Sequence, residues 1–143
     1  MRKSSGFSFI EVMTVIAIIG IVAGIVLPNV VGWLPKYRLR SGAEEIQSTL
    51  QLARLSAIKQ NTDATVTFDT SNQTFEASIS GQTIKSGKMP SGIIIESVTS
   101  PGSQVEFDSR GLANGSTGNI QVKNDQGGTM TITVNIVGMA SVQ

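Results

Sequence analysis

Neither cysteine nor histidine occurs among the 143 residues. Without thiols there is no disulfide frame and no thiolate metal site, and redox chemistry says nothing about the compartment. Without imidazole the usual nucleophile–base pairs are missing as well. Ten acidic side chains are spread along the chain, and no two are placed for paired-carboxylate catalysis. An enzyme is not expected, and no cofactor is assigned. Excess charge of either sign is also lacking. The formal net charge is +1, and removing residues 1–6 takes Arg2 and Lys3 with it, leaving 9 basic against 10 acidic side chains. That balance argues against strong nonspecific attraction to nucleic acid or anionic lipid.

What the chain does contain is a long uncharged run, the 24 residues from Val12 to Pro35. It is long enough to span a bilayer. One carboxylate, Glu11, stands at its start, after Met1-Arg-Lys-Ser-Ser-Gly6 and Phe7-Ser-Phe-Ile10. A charge inside hydrocarbon costs about 2.5–3.5 kcal/mol, so its partner matters. Nothing in the apolar segment can pair with Glu11. The cation within reach is an α-amine, created if the chain is cut between Gly6 and Phe7.

The segment Gly6-Phe7-Ser8-Phe9-Ile10-Glu11-Val12-Met13 resembles the class III signal of type IV pilins and type II secretion pseudopilins. The resemblance implies cleavage by prepilin peptidase between Gly6 and Phe7, followed by N-methylation of Phe7. It implies that Glu11 neutralises the terminal amine of a neighbouring subunit during assembly. Phe9 departs from the pattern, where leucine is commoner, but both are large and apolar. The implied partners are other pilin or pseudopilin subunits, the peptidase and an inner-membrane assembly platform. The implied location is the inner membrane, spanned once with the globular domain outside the cytoplasm, and then a filament.

A secretory signal peptide would carry an apolar stretch of about 7–15 residues and a small-x-small cut after it. This run is longer, and no clear cleavage pattern follows Val31. A plain N-terminal anchor explains the span and leaves Glu11 unpaired. The positive-inside rule does not settle orientation, because Arg2 and Lys3 precede the run while Lys36, Arg38 and Arg40 follow it.

Beyond the run, Leu39, Ala43, Ile46, Leu50, Ala53 and Ala57 recur at spacings of four and three, one apolar stripe on a helix. Glu44, Glu45, Arg54 and Lys59 lie off it; Leu52 and Leu55 flank it. The stripe is expected to pack on the chain's own sheet, with the flank open to neighbouring subunits. One helix therefore runs from Phe7 to about Gln60, roughly 80 Å at the usual rise. Pro28 removes a backbone donor and predicts a kink. Gly20 and Gly24 form a small-xxx-small pair, which in a membrane permits close approach.

From Thr62 the pattern changes to strands and turns. Expected strands are 64–68, 74–80, 83–85, 93–98, 105–107, 120–123 and 129–137. In the last, Ile132, Val134 and Ile136 alternate with Thr131, Thr133 and Asn135. Asp69–Asn72 and Asp125–Gly128 read as turns. Short strands with short polar connections predict an antiparallel sheet, so the expected class is α+β. The expected divisions are 1–6 leader, 7–35 membrane or filament-core helix, 36–61 amphipathic helix and 62–143 sheet domain. Asn114-Gly-Ser-Thr-Gly118 lacks the Gly-Lys-Ser/Thr ending of a P-loop and reads as a turn. Asn124, Asp125 and Gln126 offer one carboxylate, far short of a Ca²⁺ cage, so no metal is assigned.

Phe107-x-x-x-Gly111, a Gly/Ser/Asn loop, and a final strand closed by Gly138 resemble the GspH/FimT-type minor pseudopilin domain. The resemblance implies a structural subunit, a minor component of a type II secretion pseudopilus or type IV pilus. The alternative is a FimT-like minor pilin that binds DNA during uptake. DNA-binding members carry arginine in a C-terminal tail, whereas Gly138-Met-Ala-Ser-Val-Gln143 has no cation, so DNA is not an expected partner.

Overall fold

The computed structural model describes residues 7–113, 115 and 117–143, with the side chains of 26–31 outside that description. The chain divides into two compact units, Met1–Leu34 and Pro35–Gln143. A single helix assignment, α1 (Phe9–Gln60), enters both.

In the first unit the described part of α1 is apolar on every side and exposed. Ile10, Ile18, Ile21 and Ile25 are each more than half accessible. A helix that is hydrophobic all round has to be surrounded by lipid or protein. Residues 26–31, inside the uncharged run, have no described side chains. Among the described residues no helix is long and apolar enough to cross a membrane. The kink expected at Pro28 likewise falls outside the described side chains.

The second unit begins with the amphipathic part of α1. Leu39, Ala43, Ile46, Leu50, Ala53 and Ala57 are all buried, as the periodicity requires. Leu52 and Leu55 lie on the open flank. The helix stops where Asn61 adopts φ of +49°. There the Thr62 amide bonds back to the Ala57 carbonyl at 3.1 Å, closing the last turn.

Among the described residues eight strands follow: β1 (Ala64–Asp69), β2 (Thr74–Ile79), β3 (Gln82–Lys88), β4 (Ile93–Val98), β5 (Gln104–Phe107), β6 (Gly118–Asn124), β7 (Thr129–Val134) and β8 (Ala140–Val142). They form two four-stranded antiparallel sheets, β3-β2-β1-β5 and β4-β6-β7-β8. The class is α+β, and the strands divide between two sheets where a single one was expected. In β2, Phe75, Ala77 and Ile79 turn inward; in β6, Ile120 and Val122 do. These side chains join the helix stripe in one core. Each large apolar residue fully buried there contributes about 1.5–3 kcal/mol. The helix is tied to both sheets. Gln47 Nε2 donates to the Ala140 carbonyl in β8 at 2.8 Å, and Lys85 Nζ in β3 donates to Ser48 Oγ at 3.2 Å.

The last strand corrects an expectation. β7 ends at Val134, and Ile136 is 67% exposed instead of continuing the inward alternation. The chain turns at 135–139, where the Asn135 carbonyl accepts from the Gly138 amide at 2.9 Å and Asn135 Oδ1 accepts from the Met139 amide at 2.9 Å. It then returns as β8, paired Val134↔Ala140 and Ile132↔Val142. The tail read as lying beyond the final strand is itself the edge of a sheet.

Candidate assembly surfaces

Two regions carry the residues that the sequence singles out. The first is the start of α1. The Ser8 carbonyl accepts from the Glu11 and Val12 amides at 3.1 and 3.2 Å, closing the first turn. Glu11 thus sits where the positive end of the helix dipole favours a carboxylate. Its carboxylate has no hydrogen bond or ion pair among the described residues. Phe7 is 86% exposed, and it lines one shallow apolar groove with Glu11, Val12, Val15 and Ile16. The structure therefore brings Phe7 and Glu11 to one side of the helix start. Gly6 lies outside the described residues. Gly20 and Gly24 are open, with nothing within 4 Å of where a Cβ would stand.

The second region joins the two halves of the C-terminal motif. Phe107 is buried at the end of β5. Asp108 Oδ1 then accepts from the Arg110 and Leu112 amides, both at 2.9 Å, and the Gly111 amide donates to the Asp108 carbonyl at 2.7 Å. The Leu112 amide, with the Arg110 side chain after it, holds the Asp108 carboxyl below its usual range. Gly111, at φ +78°, is pressed against the helix, where a Cβ would fall 2.6 Å from Ile58 Cδ1. Gly138, at φ +77°, lies against Gly111; a Cβ there would stand 2.1 Å from the Gly111 carbonyl oxygen. Arg54 Nε donates to that same oxygen at 2.9 Å.

Sequence reasoning does not single out Arg54, which by periodicity simply lies off the stripe. Its acceptor lies 57 positions away, and no local pattern marks it. Around this junction Leu55, Ile136 and Met139 are each more than 60% exposed.

The 124–128 loop is a closed hairpin turn. Asn124 Oδ1 accepts from the Gln126 and Gly128 amides at 3.1 and 2.7 Å, so its oxygen is committed to the turn. Among the described residues no group of three or more acidic side chains converges as a metal site would require.

Comparison with known proteins places these regions. The family model described as prokaryotic N-terminal methylation motif matches residues 1–27, and the one described as type II transport protein GspH matches residues 42–138. No curated protein matches the sequence. Among solved structures, the fold is similar to the type IV minor pilin FimU of Pseudomonas aeruginosa. The TM-score is 0.64 at 16% identity, covering 76% of this chain and 90% of that one. It is also similar to the minor pseudopilin EpsH from the type 2 secretion system of Vibrio cholerae, with TM-score 0.60 at 13% identity, covering 74% and 96%. At these identities the likeness is one of fold. The GspH model extends from the amphipathic helix to Gly138, over most of the chain, and the protein belongs to the type II transport protein GspH family.

Proposed function

We infer that the chain is a minor structural subunit of a type II secretion pseudopilus or a type IV pilus. One observation carries this reading: a methylation motif over residues 1–27 is joined in the same chain to a GspH domain over 42–138. In this account prepilin peptidase cuts between Gly6 and Phe7, and the new amine at Phe7 is methylated. Residues 7–35 hold the subunit in the inner membrane, with the sheet domain outside the cytoplasm, until the assembly platform moves it into a filament.

The exposed apolar surface from Phe7 to Ile25 supports that path, since it needs lipid before assembly and other helices after it. The Glu11 carboxylate pairs with the terminal amine of a neighbouring subunit. Each charge would otherwise be buried alone, which costs more than burying the pair. Such a pair also sets axial register, because a slipped subunit leaves both groups unpaired. Pro28 supplies a bend in the filament-core segment. The reading as a DNA-uptake pilin draws no support from the C-terminus, where β8 and its flanks from Gly138 to Gln143 carry no cation.

Glu11→Gln tests the reading. It keeps size and hydrogen bonding and removes the charge, so cleavage and membrane insertion continue while incorporation into sheared filaments falls. A variant that assembles as well as the parent would remove the charge pair from the mechanism.

A further inference from the structure

The junction at Arg54 has chemistry that holding Gly111 does not use up. A guanidinium carries five N–H donors in a planar fork. Among the described residues only the Nε–H of Arg54 is engaged, at the Gly111 carbonyl, and the terminal amino groups meet no acceptor. That bond sets the direction of the Nε–H. Gly138 makes room for it, since a Cβ there would come within 2.9 Å of Arg54 Nε. The group is half-buried at the side of an open pocket of about 220 Å³, lined by Gln51, Arg54, Leu55, Gly138, Met139 and Ala140. Leu55 and Met139 supply apolar walls, 61% exposed in each case, and Gln51 supplies an amide one helical turn away.

We propose that this pocket is a receptor for a carboxylate of a neighbouring pilin-fold subunit. An oriented guanidinium with free terminal donors matches a carboxylate in two parallel hydrogen bonds, which are among the stronger polar contacts. Apolar walls beside it suit a carboxylate carried on a hydrocarbon stem better than a strongly hydrated inorganic anion. The pocket is large enough for such a group, at several times the volume of one water. Two sources share this chemistry: an aspartate or glutamate side chain, and a chain's C-terminal carboxylate. The identity of the donor as a subunit rests on the assembly reading; the pocket's preference for a carboxylate does not.

The test uses the full chain in zwitterionic detergent micelles, observed by NMR at the Arg54 Nε–H and the Met139 methyl. The probes are N-acetyl-glutamate amide, which offers a side-chain carboxylate, N-acetyl-leucine, which offers a terminal one, and N-acetyl-glutamine amide as the neutral control. Saturable shifts in the millimolar range are expected with one or both acids and none with the neutral control. The tighter acid identifies the source. No shift, or equal shifts with the glutamine compound, would overturn the proposal.

Arg54→Lys keeps a charge and loses the fork, and should bind about fivefold or more weakly. Leu55→Glu sits on the exposed flank, leaves the Gly111 bond in place and offers the guanidinium an internal carboxylate. It should weaken the probe to a similar degree without unfolding the protein, and unchanged binding in that variant counts against the assignment. In cells, a photo-cross-linker at Leu55 should join another pilin-fold subunit in filament fractions. Incorporation without that adduct overturns the subunit as donor and leaves the assembly reading standing. Absence of the chain from filaments overturns the assembly reading and the subunit donor together, while the micelle titration still decides the pocket.

Discussion

Arg54 on the helix and Gly111 in the loop after β5 are joined by a 2.9 Å hydrogen bond from Nε to the carbonyl, and Gly138 closes over that bond from the turn before β8. Three segments far apart in the chain therefore meet at one point, and two of them are glycines at positive φ. Gly138→Ala should destabilise the domain by about 2–4 kcal/mol, because it adds both backbone strain and a clash with the Gly111 carbonyl. Gly127→Ala is the matched control. Gly127 has φ of +83° but open space around it, so only the backbone cost of about 1–2 kcal/mol applies. Equal losses in chemical denaturation would mean that the close approach at Gly138 is not constraining.

Truncation along the helix should separate its two faces. Ile46 is fully buried in the stripe, so Ile46→Ala should cost about 2–5 kcal/mol. Leu55 is 61% exposed, and Leu55→Ala should stay within about 0.5 kcal/mol while the subunit is alone. Denaturant midpoints of the two variants check this ordering.

The periodic part of the structure was legible from residue spacing alone. All six stripe positions from Leu39 to Ala57 are buried, and the turns at Asp69 and Asp125 join the strands expected around them. Four features were not. The division into two sheets depends on which strands pair, and alternation within a strand says nothing about its neighbour. The strand at Ala140–Val142 is three residues of small and mixed character, too short to show a period. Ile136 fits the alternation by type, yet the Asn135 side chain and Gly138 turn the backbone before it can continue inward. The Arg54 contact is nonlocal by 57 positions, and its partner is a main-chain carbonyl that any residue would supply. At the helix start, the methylation motif matched over residues 1–27 was readable because it lies within one short segment.

Acid should weaken the sheet domain through two turn carboxylates. The Asn72 amide, its side chain and the Ser71 amide hold the Asp69 carboxyl below its usual range, and the Leu112 amide and Arg110 do the same for Asp108. Both folded values lie below the unfolded one. Their stabilising contribution is therefore present above about pH 4 and is lost as pH falls through the folded values. A double variant, Asp69→Asn with Asp108→Asn, should have a lower Tm at pH 7 and a shallower decline of Tm below pH 4. Parallel curves for parent and variant would assign the acid sensitivity elsewhere.

A chain that begins at Pro35 should fold without the first unit. Every buried apolar residue described lies at Leu39 or beyond, so the core is retained whole. Circular dichroism should show helix and strand together with one cooperative thermal transition. A broad, non-cooperative melt would mean that the N-terminal segment contributes to folding.

The proposed function requires that this chain is processed at Gly6–Phe7 and built into a filament. The mass of the intact chain recovered from sheared filaments tests it most directly. The expected N-terminus is Phe7, carrying one added methyl group. Filament-incorporated protein that still begins at Met1 would contradict it.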